Sequence, residues 1–339
     1  MFTEKLRKII RREDLDASEM TQMMDTIFTG NAAQAQIGAF MGALAAKGET
    51  YEELTGAATA MRRKALRIET SAQTVVDTVG TGGDGAKTFN ISTTTAFVVA
   101  GCGVTVAKHG NRAVSSQCGS ADLLEAMGMN LEMDPELVEE AVTDIGVGFL
   151  FAPKYHGAMR YAAAARKEVG IRSIFNMLGP LTNPAAANCQ LIGVYMPELT
   201  EMFARALKEL GSRRAFVVHG HDGLDEISVC APTRISELSQ GRIQTYDISP
   251  ETYFGEAADP EAIAGGDAYE NAAITRRILS GEKGPKRNVV LINAAAALMA
   301  ADRTENLKDG IDMAAAAIDS GAAQAKLDEL IAFTREHAA

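Results

Sequence analysis

The chain has 339 residues, 47% of them apolar and 23% charged, and its formal charge of −11 comes from 44 acids against 33 bases. That length suits about two domains with a sizeable core, and the acidic balance excludes a broad nucleic-acid footprint or an anionic membrane surface as the main partner. Four cysteines without Cys-x-x-Cys spacing read as reduced thiols, and with a charged start and no stretch of about 18 apolar residues, a cytoplasmic protein free of membrane segments is expected.

Residues 1–70 read as helix. Asn31 with Gln34, and Thr50 with Glu53, have the spacing of helix caps, and Ile37, Phe40, Met41 and Leu44 recur at helical intervals. Met20, Met23 and Met24, with small residues such as Ala33, Gly38 and Gly42, form an apolar surface that a second copy can cover. A homodimer through this helical domain is therefore expected.

From residue 72 onward, β-rich runs at 74–79, 103–107, 147–151, 190–195 and 215–219 alternate with helical segments at 90–101, 118–128, 134–145, 155–169 and 197–210. This α/β pattern predicts a mainly parallel sheet in a larger domain of residues 71–339, with the helical domain of 1–70 joined by helices near 170–190. Segments 227–230 and 242–247 are expected to form an antiparallel extension. The alanine-rich runs 288–301 and 305–334 predict packing helices.

In open α/β sheets, ligands sit beyond the carboxyl ends of the strands, so the loops after residues 79, 107, 151, 195 and 219 should converge. The first of these carries Gly80-Thr81-Gly82-Gly83-Asp84-Gly85, a run of backbone N–H groups at a strand-to-helix junction that suits a phosphorylated ligand. Thr88, Asn90, Ser92 and Thr93 follow as hydroxyl and amide donors at a helix start. The run matches the dinucleotide pattern G-x-G-x-x-G, but cations stand where the ribose-binding acid belongs, and Ala86 between Gly85 and Lys87 spoils a Walker loop. The second loop, Lys108 to Ser120, combines Lys108, His109, Asn111, Arg112 and the serines Ser115, Ser116 and Ser120, a composition suited to polyphosphate. The loop after 215–219 reads Asp222-Gly223-Leu224-Asp225-Glu226, and its adjacent acids Asp225 and Glu226, with Ser92, can bind magnesium alongside substrate phosphates. His109 and His156 are candidates for orienting or deprotonating a nucleophile, though neither is assigned as a general base. On residues alone, the chain reads as a binder of a magnesium-associated phosphate ester in an α/β cleft.

Gly80-Thr81-Gly82-Gly83-Asp84, Asn90-Ile91-Ser92-Thr93, Lys108-His109-Gly110-Asn111-Arg112, Gly119-Ser120-Ala121-Asp122, Asp225-Glu226, Arg166 and the stretch Asn176 to Pro184 together resemble the anthranilate phosphoribosyltransferases over nearly the whole chain. The resemblance implies a homodimeric transferase of tryptophan biosynthesis that uses anthranilate, phosphoribosyl pyrophosphate and Mg2+. It implies contacts to phosphoribosyl pyrophosphate from Gly80, Gly82, Gly83, Asp84, Thr88, Asn90, Ile91, Ser92, Thr93, Lys108, His109, Gly110, Asn111, Arg112, Ala113, Val114, Ser115, Ser116 and Ser120. It further implies contacts to anthranilate from Gly80, Asn111 and Arg166, and magnesium on Ser92, Asp225 and Glu226. The alternatives are a pyrimidine nucleoside phosphorylase, which the Asp225-Glu226 pair argues against, and a non-enzymatic nucleic-acid-binding paralogue, which the acidic charge argues against.

Overall fold

Caps and apolar spacing set the first four helices in the computed structural model, which describes residues 2–113 and 117–337. These are α1 (Phe2–Ile10), α2 (Ala17–Phe28), α3 (Gln34–Lys47) and α4 (Tyr51–Lys64). Thr50 and Glu53 form the expected reciprocal cap at the start of α4. Asn31 does not cap α3. The helix starts two residues later than expected, after Ala33, whose N–H donates to Gln36 Oε1 at 2.9 Å. Gln34 is thereby released to bridge to another helix, donating to the Tyr161 carbonyl and accepting from the Ala165 N–H, both at 3.0 Å.

The rest of the chain runs β1 (Val75–Gly80), α5 (Ile91–Gly101), β2 (Thr105–Gly110), α6 (Ser120–Ala126), α7 (Pro135–Glu140), β3 (Val147–Phe151), α8 (Ala152–Tyr155), α9 (Arg160–Val169), α10 (Ile174–Met177) and β4 (Cys189–Gly193). It continues with α11 (Leu199–Glu209), β5 (Arg214–Gly220), β6 (Thr233–Ser239), β7 (Arg242–Ile248), α12 (Glu251–Phe254), α13 (Ala268–Leu279), α14 (Pro285–Ala300), α15 (Leu307–Asp319) and α16 (Ala322–Glu336). The seven strands form one sheet in the order β3-β2-β1-β4-β5-β6-β7. The first five in this order are parallel, and β6 and β7 add antiparallel.

One strand expectation needs correction. Segment 227–230 is not a strand. Its backbone polar groups are met elsewhere, the Ile227 N–H and carbonyl both pairing with the Asn293 side chain of α14 at 2.9 Å. The antiparallel partner of β7 is instead β6, which lies in the polar stretch between these segments and buries Ile235 and Leu238. The alanine-rich run 305–334 is helical as expected and comprises two helices, α15 and α16, divided at Ser320 and Gly321, where Gly321 has φ +78°.

The order reverses at β1, which has β2 on one side and β4 on the other. That junction is the switch point at which open α/β sheets leave a crevice. One core cluster packs α5, α13, α14, α15 and α16 against the sheet. A second packs α2, α3, α4, α9, α10 and α11 against Ile192, Val194, Ala215 and Val217 of the sheet region. Among the described residues no helix is long and apolar enough to cross a membrane.

Candidate active site

At the switch point the ends of β1 and β4 lie side by side, Gly80 in register with Gly193. Neither residue carries a Cβ, and both absences are used. A Cβ on Gly80 would run into the Asp225 carboxylate, and one on Gly193 would run into the Asp225 backbone. The chain after β5 therefore lies directly across the two strand ends. The Asp225 carboxylate accepts the Gly82 N–H at 2.8 Å. Gly82, Gly83 and Gly85 have φ of +66°, +77° and +74°, a backbone path that suits glycine. Thr81 Oγ1 is enclosed there without a hydrogen-bond partner.

Lys108 reaches the same place from β2. Its ammonium donates to the Thr78 carbonyl and stands 3.4 Å from Ser92 Oγ. Ser92, at the start of α5, stands beside the Glu226 carboxylate, where its N–H and hydroxyl favour the charged form. Burial pushes Glu226 up to about 8, opposed by Lys108 and Ser92. Asp225 is likewise raised, first by burial and then by the charges of Asp84 and Glu226. Three acids that face one another in this way favour a cation among them. No group of three or more His, Cys, Asp or Glu among the described residues is spaced to hold a metal unaided. Two carboxylates and a hydroxyl are nevertheless hard oxygen donors of the kind magnesium uses when phosphates complete its shell. The donor set fits a magnesium that arrives with its substrate.

Behind Lys108 lies Asp77, a fully buried acid in the middle of β1. It accepts the His109 N–H at 3.1 Å and the Asn183 amide at 2.7 Å. Burial raises it to about 6, with Lys108 the largest opposing influence. Asp77 carried no expected role in the sequence, although an acid after two valines, in an otherwise uncharged strand, was itself the signal. Asn183 lies in the expected Asn176 to Pro184 stretch and also donates to the Ala107 carbonyl at 2.8 Å. That stretch is seated on the ends of β1 and β2.

His109 and His156 meet at Nε2 to Nε2, 3.2 Å apart. His109 Nδ1 lies 3.1 Å from the Gly179 carbonyl, which requires a proton on Nδ1. The proton between the rings then belongs to His156 in the neutral pair. Burial, with the neighbouring His156 second, lowers His109 to about 3, and burial lowers His156 to about 4. Arg166 projects from α9 with its guanidinium over the Phe175 ring at 5.7 Å, and burial lowers its pKa.

Several expected ligand residues have other occupations. The Arg112 guanidinium pairs with Asp122 at 3.1 Å and Glu125 at 2.7 Å. The Asn90 amide donates to the Cys118 carbonyl, and its oxygen accepts from Asn271, each at 3.0 Å. Ile91 and Thr93 are buried, and Ser120 Oγ donates to the Asn111 carbonyl at 3.2 Å. Thr88 forms an isolated bridge with Ala264. Gly110 ends β2, and Ala113 donates its N–H to Asp122 at 2.8 Å. Val114, Ser115 and Ser116 lie outside the described residues. Arg172, which the sequence reading did not single out, touches the glycine loop through the Gly83 carbonyl.

A glycine loop, a buried lysine and an acid pair at the switch point of a parallel sheet, with a helical layer beside them, define a transferase-type cleft for phosphorylated sugars. The chain belongs to the glycosyl transferase family, matching its helical bundle domain over residues 3–65 and its a/b domain over residues 72–324. It is 67% identical to the anthranilate phosphoribosyltransferase of Desulfosudis oleivorans, across 99% of this chain and 100% of that one. It is 53% identical to the enzyme of that name from Moorella thermoacetica, over the full length of both. The crystal structure of anthranilate phosphoribosyltransferase from Thermus thermophilus superposes with a TM-score of 0.92 at 43% identity, covering 97% of this chain and 99% of that one. The Saccharomyces cerevisiae enzyme in complex with phosphoribosyl pyrophosphate and magnesium gives 0.90 at 28% identity, covering 99% and 98%. Neither the phosphorylase nor the nucleic-acid-binding alternative gains support from these relatives.

Proposed function

We propose that this protein transfers the phosphoribosyl group of phosphoribosyl pyrophosphate to the amine of anthranilate, the second step from chorismate to tryptophan. The observation that carries this reading is the meeting of the glycine loop, Lys108 and the Asp225-Glu226 pair at one strand switch point. In the reaction the bond from C1 of the ribose to pyrophosphate breaks, a C1–N bond forms, and the amine gives up a proton. Such substitutions at an anomeric carbon pass through an oxocarbenium-like state, so charge on the leaving group is what most needs neutralising. Lys108 and the loop amides provide donors for it. Magnesium, held by Asp225, Glu226 and Ser92, would add a Lewis acid at the diphosphate oxygens.

Arg166 offers paired N–H donors to the anthranilate carboxylate, and Asn111 and Gly80 are proposed to contact the same substrate. The neutral His109–His156 pair presents a dipole to the amine without a competing charge. The protein is further proposed to act as a homodimer through the helical domain. Support comes from Ile10, 62% exposed on α1. Four cysteines, with no disulfide among the described residues, suit a reducing cytoplasm. The test is to mix protein, magnesium and both substrates and follow anthranilate fluorescence with pyrophosphate release. Unchanged fluorescence would refute the reading. Sedimentation as a monomer at micromolar concentration would refute the dimer.

A further inference from the structure

The glycine loop is pinned at two consecutive residues by two different kinds of handle. At Gly82 the N–H is held by the Asp225 carboxylate at 2.8 Å. At Gly83 the carbonyl is held by the Arg172 guanidinium. The two handles are not equivalent. Asp225 belongs to the acid pair, and its hold on Gly82 competes with any cation or phosphate that enters. Arg172 lies outside that competition. It comes from the turn between α9 and α10, its guanidinium lies over the Tyr195 ring with Cζ 4.3 Å from the centroid, and no carboxylate among the described residues pairs with it.

We propose that Arg172 is the positioning residue for the phosphate-binding loop, fixing Gly83 against the Tyr195 platform so that the loop keeps its ligand-ready path when Asp225 lets go. The chemistry is direct. A segment with four glycines in six residues, Gly80 to Gly85, has wide conformational freedom, and ordering it on ligand binding costs affinity. The peptide is planar and trans, so a guanidinium on the Gly83 carbonyl directs the Asp84 N–H the opposite way, away from the arginine. The unneutralised guanidinium also places positive charge beside the loop on which the diphosphate is expected. A planar cation suits this post better than an ammonium, because one face stacks on the ring while the edge donates.

This inference rests on the proposed use of phosphoribosyl pyrophosphate, and the test separates the two. Arg172→Ala, Arg172→Lys and Tyr195→Leu are compared with the unaltered protein in steady-state kinetics, and amide hydrogen exchange over 80–87 is followed without any ligand. Arg172→Ala should raise KM for phosphoribosyl pyrophosphate about ten-fold or more while leaving KM for anthranilate within about two-fold. Arg172→Lys and Tyr195→Leu should fall between. Exchange in the loop should speed up about five-fold or more in Arg172→Ala, with the sheet amides unchanged. An unaltered KM for phosphoribosyl pyrophosphate together with unaltered loop exchange would overturn the inference, as would a parallel rise in both KM values with faster exchange throughout. If the unaltered protein turned over neither substrate, the transferase reading would fall, and the exchange comparison would still decide the role of Arg172.

Discussion

Two neutral histidines buried against each other make the site sensitive to acid. The unfolded chain restores each ring to an ordinary pKa near 6.5, whereas His109 is held down to about 3 and His156 to about 4 in the fold. Between the two ranges the unfolded state binds more protons, so stability is fully present above about pH 6.5 and is lost as the pH falls toward 4. The loss at pH 5 is on the order of 2 kcal/mol per histidine. Urea midpoints between pH 8 and pH 5 should therefore fall, and His156→Gln should flatten that fall by roughly half. An equally steep fall in the variant would show that other groups carry it. The acid pair supplies a second residue-scale expectation. Asp225→Asn with Glu226→Gln keeps an acceptor for the Gly82 N–H but removes the charges, and should lower magnesium-dependent kcat by about 10²-fold or more. Turnover at the original rate would remove the metal assignment. The convergence of Lys108 and the Asp225-Glu226 loop at one strand-end cleft was legible in sequence, because each follows a parallel strand. The protein partners of Arg112 and Arg172 were not, because a guanidinium's partner is fixed by which acids fold beside it. Arg112 found Asp122 and Glu125, and Arg172 found no acid among the described residues.

Parallel strands were readable because each is a short apolar run ending in a polar loop, and β1 to β5 all lie within a few residues of their expected positions. β6 was not, since its Thr, Ser and Glu residues hide its two apolar anchors, Ile235 and Leu238, which at odd spacing point to opposite faces of the sheet and join different core clusters. Segment 227–230 misled in the opposite sense, apolar enough for a strand yet bonded to Asn293 on α14. Gly193 had no signal of its own, because its importance comes from a neighbour more than thirty residues away in the chain. With the Asp225 backbone packed where its Cβ would be, Gly193→Ala must push β4 and the 222–226 loop apart. Overpacking of this kind costs about 1–3 kcal/mol and displaces the acids from Ser92 and the glycine loop. The variant should melt lower and require more magnesium for half-maximal activity. Unchanged magnesium dependence would mean that the loop absorbs the added methyl without moving its carboxylates.

The helical layer and the sheet are one folding problem, not two. Leu54, Ala57 and Met61 of α4, and Met20, Met24 and Ile27 of α2, share a cluster with Phe203 and Leu207 of α11 and with Ile192, Ala215 and Val217 of the sheet. Arg62 fastens the same seam, its Nε donating to the Leu181 carbonyl at 2.6 Å and its Nη1 to the Leu210 carbonyl at 3.2 Å. A composition change near residue 70 marks a real shift from helix to α/β, yet the apolar surface of residues 1–70 is completed by residues more than ninety positions later. Removal of 1–70 would bare Phe175, Phe203 and Ile192 together, a patch large enough to drive aggregation. Heating the full chain should therefore give a single calorimetric transition, with the van't Hoff enthalpy equal to the calorimetric enthalpy per cooperative unit. A fragment of residues 71–339 should be recovered mainly as aggregate, or as a species that binds hydrophobic dyes. Two resolved transitions in the full chain, or a soluble monomeric fragment with native exchange protection in the sheet, would show that the shared cluster contributes little and that the two layers fold independently.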